Sequence, residues 1–225
     1  MCIRDSNKQS ILTGIVGYRF SQKTRVDLKF DSASVDYIYN TDDLGNPWQN
    51  DYKYTTISVG IDYEVTGKLS SKLYVGSTSQ NVDLKNIPSP TEAQKKEYSG
   101  VTASGSLAYK ITPKMMLSST LLRDLQYNAY VNYLIVNKIT FKWHYQLTRK
   151  IRVSVRGAYE TNIPSSKITN TVDKSTKSTF GVSARYDVTR YLSTGLDYEN
   201  TTKSSKIKQL GYANNVYHLF VTLHF

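Results

Sequence analysis

Residues 138–160 read KITFKWHYQLTRKIRVSVRGAYE. Up to the middle of this stretch every second residue is apolar: Ile139, Phe141, Trp143, Tyr145 and Leu147. Between them stand Lys138, Thr140, Lys142, His144 and Gln146. After Thr148-Arg149-Lys150 the alternation resumes. Ile151, Val153, Val155, Gly157 and Tyr159 interleave with Arg152, Ser154, Arg156, Ala158 and Glu160. A period of two sends successive side chains to opposite faces of an extended chain, so both halves are strands. A three-residue turn at 148–150 would set Leu147 against Ile151, Tyr145 against Val153 and Trp143 against Val155. The apolar sets then share a face, as a hairpin requires.

The turn sequence YQLTRK at 145–150 has four relatives: YRFSQK at 18–23, YEVTGK at 63–68, YKITPK at 109–114 and YDVTRY at 186–191. Each has Tyr, any residue, an apolar residue, Thr or Ser, any residue, then Lys or, once, Tyr. Recurrence at such intervals marks one supersecondary unit used again. The same construction works at every copy. It sets Tyr18 against Val26, Val16 against Leu28 and Gly14 against Phe30. It sets Val65 against Leu69, Ile61 against Leu73 and Val59 against Val75. Further on it pairs Ile111 with Met115, Tyr109 with Leu117, Val188 with Leu192 and Ala184 with Leu196. A last strand, VYHLFVTLHF, puts Tyr217, Leu219, Val221, Leu223 and Phe225 on one face. Five hairpins and one strand make eleven strands. The linkers at 40–51, 82–97, 162–177 and 201–213 are long and polar, with loop formers such as LGNPW and NIPSP; the one near 126–130 is short.

Composition bounds the setting. The 225 residues carry 29 Lys and Arg against 18 Asp and Glu, a formal charge of +11, so anionic partners are expected. The 19 tyrosines suit strands and membrane–water interfaces. Mean hydropathy is −0.45, and no apolar run is long enough for a membrane helix. The opening MCIRDS reads as a translated sequencing adaptor and is set aside as foreign. Cys2, the single cysteine, falls within it and supports no redox argument. Residues 7–225 are then expected to be the C-terminal part of one domain.

Tyr-rich alternating strands also build soluble sandwiches and barrels. Three features favour a transmembrane barrel instead. The strands reach the roughly 9–11 residues that a tilted transmembrane strand needs. The polar face is bulky and charged, as a watery lumen allows. The last strand closes on an aromatic, the terminal signal read by the barrel-assembly machinery, so Tyr217, Leu219, Val221, Leu223 and Phe225 are expected to form it. The fold class expected is therefore all-β: an antiparallel up-and-down transmembrane β-barrel with short periplasmic turns and longer outer loops. Each repeat marks a strand arriving at the periplasmic side. Tyr18, Tyr63, Tyr109, Tyr145 and Tyr186 would form an aromatic girdle there, the Thr or Ser would start the turn by side-chain hydrogen bonding, and the Lys would emerge among headgroups. An even strand number is usual in such barrels, so eleven points to at least one further strand.

At this point the sequence resembles the beta-barrel porin 2 family. The carrying stretches are GIVGYRFSQKTRVDLKF, SLAYKITPKMMLSSTLLRD, GVSARYDVTRYLSTGLDYENTT and GYANNVYHLFVTLHF. The resemblance implies an outer-membrane protein linked to exopolysaccharide and capsule export, with lipid, lipopolysaccharide and anionic polysaccharide as expected partners.

The inward face would carry a basic strip of Lys138, Lys142, His144, Arg152, Arg156 and Arg185. Its functional reading is attraction of anions. The plainer reading is a solvated wall balanced by Glu160, Asp187, Asp197 and Glu199. Lys142 would face Arg156, a like-charge pair that is unfavourable unless screened. The loop lysines Lys167, Lys174, Lys177, Lys203, Lys206 and Lys208 would meet lipopolysaccharide phosphates or solvent. His144, His218 and His224 share the inward set, but His218 and His224 lie ~20 Å apart along one strand and cannot share a metal. Local spacing assembles no Ser, His and carboxylate, so no catalytic residue, cofactor or metal is expected. Basic residues alternating with acidic ones speak against nucleic acid. The functions expected are an outer-membrane channel or a non-conducting structural or binding barrel, with an outer-membrane hydrolase a distant third.

Overall fold

The computed structural model describes residues 7–37, 51–83, 97–128, 132–164, 174–205 and 211–223. Within them lie eleven strands: β1 (Asn7–Arg19), β2 (Thr24–Tyr37), β3 (Tyr52–Thr66), β4 (Leu69–Val82), β5 (Glu97–Thr112), β6 (Met115–Asn128), β7 (Asn132–Gln146), β8 (Ile151–Pro164), β9 (Ser175–Asp187), β10 (Leu192–Ser205) and β11 (Tyr212–Leu223). They form one sheet in sequence order, each neighbour antiparallel. The adaptor-like opening and Phe225 fall outside the described residues.

Among the described residues no second sheet or helix lies against this sheet. Its apolar face is open: Val16, Leu28, Val59, Val75, Leu121, Phe141, Leu196 and Leu219 are all exposed. A soluble sandwich would cover that face with a second sheet. A single-layer wall that is apolar outside and polar inside needs lipid on one side and water on the other. Strands of 12 to 16 residues outreach a bilayer core, so their ends stand beyond it.

The expected registers hold through most ladders. Tyr18 faces Val26, Val59 faces Val75, Tyr109 faces Leu117, Trp143 faces Val155 and Ala184 faces Leu196. Two pairs differ. Leu69 pairs with Thr66 and Met115 with Thr112, while Val65 and Ile111 bulge out of the ladder. These copies carry Gly67 and Pro113 at the corner, residues suited to tight turns, so the ladder closes one residue further on. In the hairpins at 145 and 186 the ladder stops at Gln146–Arg152 and Asp187–Ser193. There Thr148 N–H donates to Ile151 O at 3.3 Å, and Thr189 N–H to Leu192 O at 3.1 Å.

The repeat's Thr or Ser acts as the sequence suggests. Thr148 Oγ1 accepts from the N–H groups of Lys150 (3.2 Å) and Ile151 (3.0 Å). Thr66 and Thr189 make the same pair of bonds, and Ser21 and Thr112 make the first. A second bond joins copy to copy. The carbonyls of Lys23, Lys68, Lys114 and Lys150 accept from the N–H groups of Glu64, Lys110, Gln146 and Asp187, each at 2.8 Å. The sixth residue of one repeat thus holds the second residue of the next. The repeat sets the register between hairpins as well as within them.

At the long-loop end the wall overlaps itself. The β5–β6 ladder stops at Ala103–Arg123, whereas β6–β7 pairing runs on to Asn128–Asn132. Beyond the split Leu125 lies over Gly100, a residue on the inward face with Tyr98 and Thr102. Tyr98 stacks on Tyr133 of β7 at 4.2 Å, and Arg123 Nε donates to Val101 O at 3.3 Å. The end of β6–β7 therefore passes on the inner side of β5. The strands also run further than the expected linkers allowed. Lys177 and Lys203, read as loop lysines, lie in β9 and β10, directly opposite each other.

Candidate functional site: the inner wall

Cross-strand register arranges the inward residues of β5–β11 as rungs. Nearest the turns, Gln146, Arg152, Arg185, Gly195 and Phe220 stand in line. The next rung runs Lys110, Met116, His144, Ser154, Ser183, Asp197 and His218. Above it come Ser118, Lys142, Arg156, Gly181 and Glu199. Nearer the long loops are Lys138, Glu160, Lys177 and Lys203.

This places all six residues of the basic strip on the inner wall and gives most of them carboxylate partners. Arg156 makes a forked pair with Asp197 (3.1 and 2.9 Å) and reaches Glu199 at 2.8 Å. Arg152 bonds Asp187 at 2.6 Å, and Arg185 lies 3.4 Å from the same carboxylate while donating to Ser193 Oγ at 2.7 Å. Lys138 meets Glu160 at 3.3 Å. Lys142 stands opposite Arg156, whose charge its two carboxylates offset. The mid-wall is thus of mixed charge.

Two of these links skip a strand, and glycine makes that possible. Arg156 on β8 reaches Asp197 and Glu199 on β10 by crossing β9 at Gly181. A Cβ there would lie 2.7 Å from the Arg156 Nε. In the first half of the sheet Tyr74 of β4 crosses β3 at Gly60, where a Cβ would strike its ring, and donates to Asp27 Oδ2 of β2 at 3.0 Å. Asp27, almost fully buried, also accepts from Arg25 Nε at 2.5 Å. Beside it Lys29 pairs with Asp31 and Lys72 with Asp62. Hydroxyls fill the space between: Thr56 and Thr78 bond at 2.7 Å, and Thr78 donates to Thr102 at 3.3 Å. None of this first-half network was read from the sequence. Its one signal was the alternation of Asp27, Lys29 and Asp31 with apolar residues.

Tyr18, Tyr63, Tyr109, Tyr145 and Tyr186 all stand on the outward face at the turn end, with Trp143 stacked on Tyr145 at 5.6 Å. Tyr217, Leu219, Val221 and Leu223 line the outward face of β11, the first two 75% exposed. Among the described residues no group of His, Cys, Asp and Glu could hold a metal ion, and no helix is long and apolar enough to cross a membrane.

Comparison with known proteins agrees with this geometry. A family model described as "Putative beta-barrel porin 2" matches residues 3–225. No curated protein matches the chain. Among solved structures, the FrpB iron transporter from Neisseria meningitidis superposes with a TM-score of 0.64 at 7% identity, over 97% of this chain and 41% of its own. OprD, an outer-membrane protein from Pseudomonas aeruginosa, gives 0.46 at 10% identity, over 93% and 68%. OccK2 from the same organism gives 0.46 at 8% identity, over 95% and 71%. The FrpB likeness supports the barrel fold, and this chain spans under half of that protein's length. By its wall geometry and by a family match along nearly its whole length, the chain belongs to the beta-barrel porin 2 family and is an outer-membrane β-barrel protein.

Proposed function

We propose that the chain forms part of the wall of an outer-membrane channel that conducts polysaccharide. One observation carries the channel reading: a single-layer sheet whose outer face is apolar and whose inner face is lined by charged and hydroxyl groups. Such a wall supports a water-filled lumen. The mixed-charge rungs suit a hydrated, acidic sugar chain, and the family resemblance adds exopolysaccharide as cargo. The outward tyrosines would seat the wall at the periplasmic interface, and the outward face of β11 would be read by the assembly machinery. Lipid and lipopolysaccharide would meet the rest.

β1 and β11 run in the same direction, so their free edges cannot pair antiparallel with each other. This supports reading the eleven strands as part of a larger barrel wall, since lipid tolerates no open edge. Ion conductance of the full-length protein in a planar bilayer tests the channel. Stepwise openings are expected, slowed by acidic polysaccharide. A correctly folded but silent protein would sink the channel.

A second reading, a non-conducting structural or binding barrel, has its own observation. The buried apolar residues Ala33, Val35, Val82, Tyr98, Leu125 and Val136 all lie towards the long-loop ends of their strands. An apolar cluster where β6–β7 overlaps β5 would narrow the mouth. Local spacing along the sequence assembles no Ser, His and carboxylate set for hydrolysis, and lipase and protease assays on folded protein test that alternative.

A further inference from the structure

The compensation of charge along the inner wall is uneven, and the imbalance sits at the turn end. There a cavity of about 550 Å³ is lined by Lys110, Lys114, His144, Arg152 and Arg185, drawn from three hairpins. None of its lining residues is acidic. Asp187 reaches two of these groups, Arg152 and Arg185. Lys110, Lys114 and His144 are exposed and stand outside every ion pair among the described residues.

The arrangement works against stability. Arg152 stands directly opposite Arg185 in the β8–β9 ladder. Like charges across a ladder repel. At mid-wall the comparable strain is relieved by two carboxylates on Arg156. At the turn end Asp187 is shared between both arginines, and the neighbouring hairpin adds two more lysines. The cavity's other walls include the inward-facing Met116 and Phe220. Apolar walls around one sign of charge focus the field on whatever enters. Ser154 and Ser183, bonded to each other at 2.6 Å, add hydroxyls beside the cations.

We propose that this cavity is an anion-binding vestibule at the periplasmic mouth, taking a solute with two or more carboxylates or comparable anionic oxygens. Arg152 and Arg185 offer planar forks to one anionic group. Lys110 and Lys114, across the cavity, hold a second. A monovalent anion engages only one of these pairs and binds weakly. The proposal rests on the barrel and deepens the channel reading by naming the chemistry of its cargo, but binding itself requires no conduction.

The test is calorimetric titration of the folded protein in detergent micelles with citrate, and with acetate at matched ionic strength. Citrate is expected to bind and acetate to bind at least about tenfold more weakly, with citrate affinity falling as salt rises. Lys110→Gln with Lys114→Gln should weaken citrate about tenfold, a loss in the range of charge-assisted hydrogen bonds. These lysines are exposed and make no ion pair among the described residues, so strand content by circular dichroism should be unchanged. Lys142→Gln, on the inner wall outside the cavity, should leave citrate affinity within about twofold. Absence of citrate binding by the parent protein would overturn the proposal. So would an equal loss in the Lys142 variant, which would mean a diffuse field and no site. Citrate binding by a protein silent in bilayers would keep the vestibule and remove the channel; conductance without citrate binding would do the reverse.

Discussion

At the residue scale the inner wall depends on what glycine leaves out. Arg156 spans from β8 to β10 because Gly181 has no side chain, and Tyr74 spans from β4 to β2 over Gly60. Gly181→Ala should push the guanidinium off Asp197 and Glu199 and destabilise by about 1–3 kcal/mol. Gly157, on the outward face of β8 with nothing within 4 Å of its Cβ position, provides the matched control. Gly157→Ala should be neutral or slightly stabilising. Urea midpoints of the two variants in lipid vesicles separate a crossing-point effect from a general cost of losing glycine. Asp187 gives a second test. Asp187→Asn removes the carboxylate that the opposed Arg152 and Arg185 share. Its unfolding midpoint should fall at low salt and recover as salt screens the pair; a midpoint indifferent to salt would show that the two arginines already splay apart.

At the element scale the repeat is a turn device with two jobs. Its Thr or Ser caps the turn, and its sixth carbonyl receives the next hairpin. Thr148→Val removes an acceptor from two backbone N–H groups and should cost about 1 kcal/mol. Thr148→Ser should retain most of that stability. Folding into vesicles followed by tryptophan fluorescence of Trp143 on the adjoining strand reads both. The hairpin registers were legible because alternation fixes which faces meet; a one-residue slip would turn every apolar group inward. The bulges at Val65 and Ile111 were not, because period two carries no information about where a ladder ends. In hindsight the corner residues Gly67 and Pro113 were the signal. Lys177 and Lys203 were misplaced for the same reason: polar residues on an inward face look like a loop in sequence.

At the scale of the whole molecule the two faces define two solvents. Leu121, outward on β6, should be intolerant of charge: Leu121→Arg is expected to cost about 2–4 kcal/mol in lipid if it lies near the bilayer midplane. Thr120→Arg, one residue away on the inner wall, should cost far less. Unfolding of both from vesicles checks the orientation of the entire sheet, since equal penalties would contradict a watery lumen. The overlap of β6–β7 on β5 belongs to this scale as well. It joins Tyr98 to Tyr133 and Leu125 to Gly100, contacts between strands that alternation would send to opposite faces.

The sequence by itself determined the strands, their hairpin pairing, the apolar and polar faces and the turn chemistry. All of these depend on neighbours a few residues apart and on a period of two, which a linear reading can see. The tertiary structure decided which carboxylate answers which cation. Arg156 and Asp197 are 41 positions apart and meet only because β9 offers Gly181 between them. It also decided that Lys110 and Lys114 share a cavity with Arg152 and Arg185. Charge balance is set by the strand beside, and by the strand beyond that, so the inner wall's electrostatics exist only once the sheet has formed.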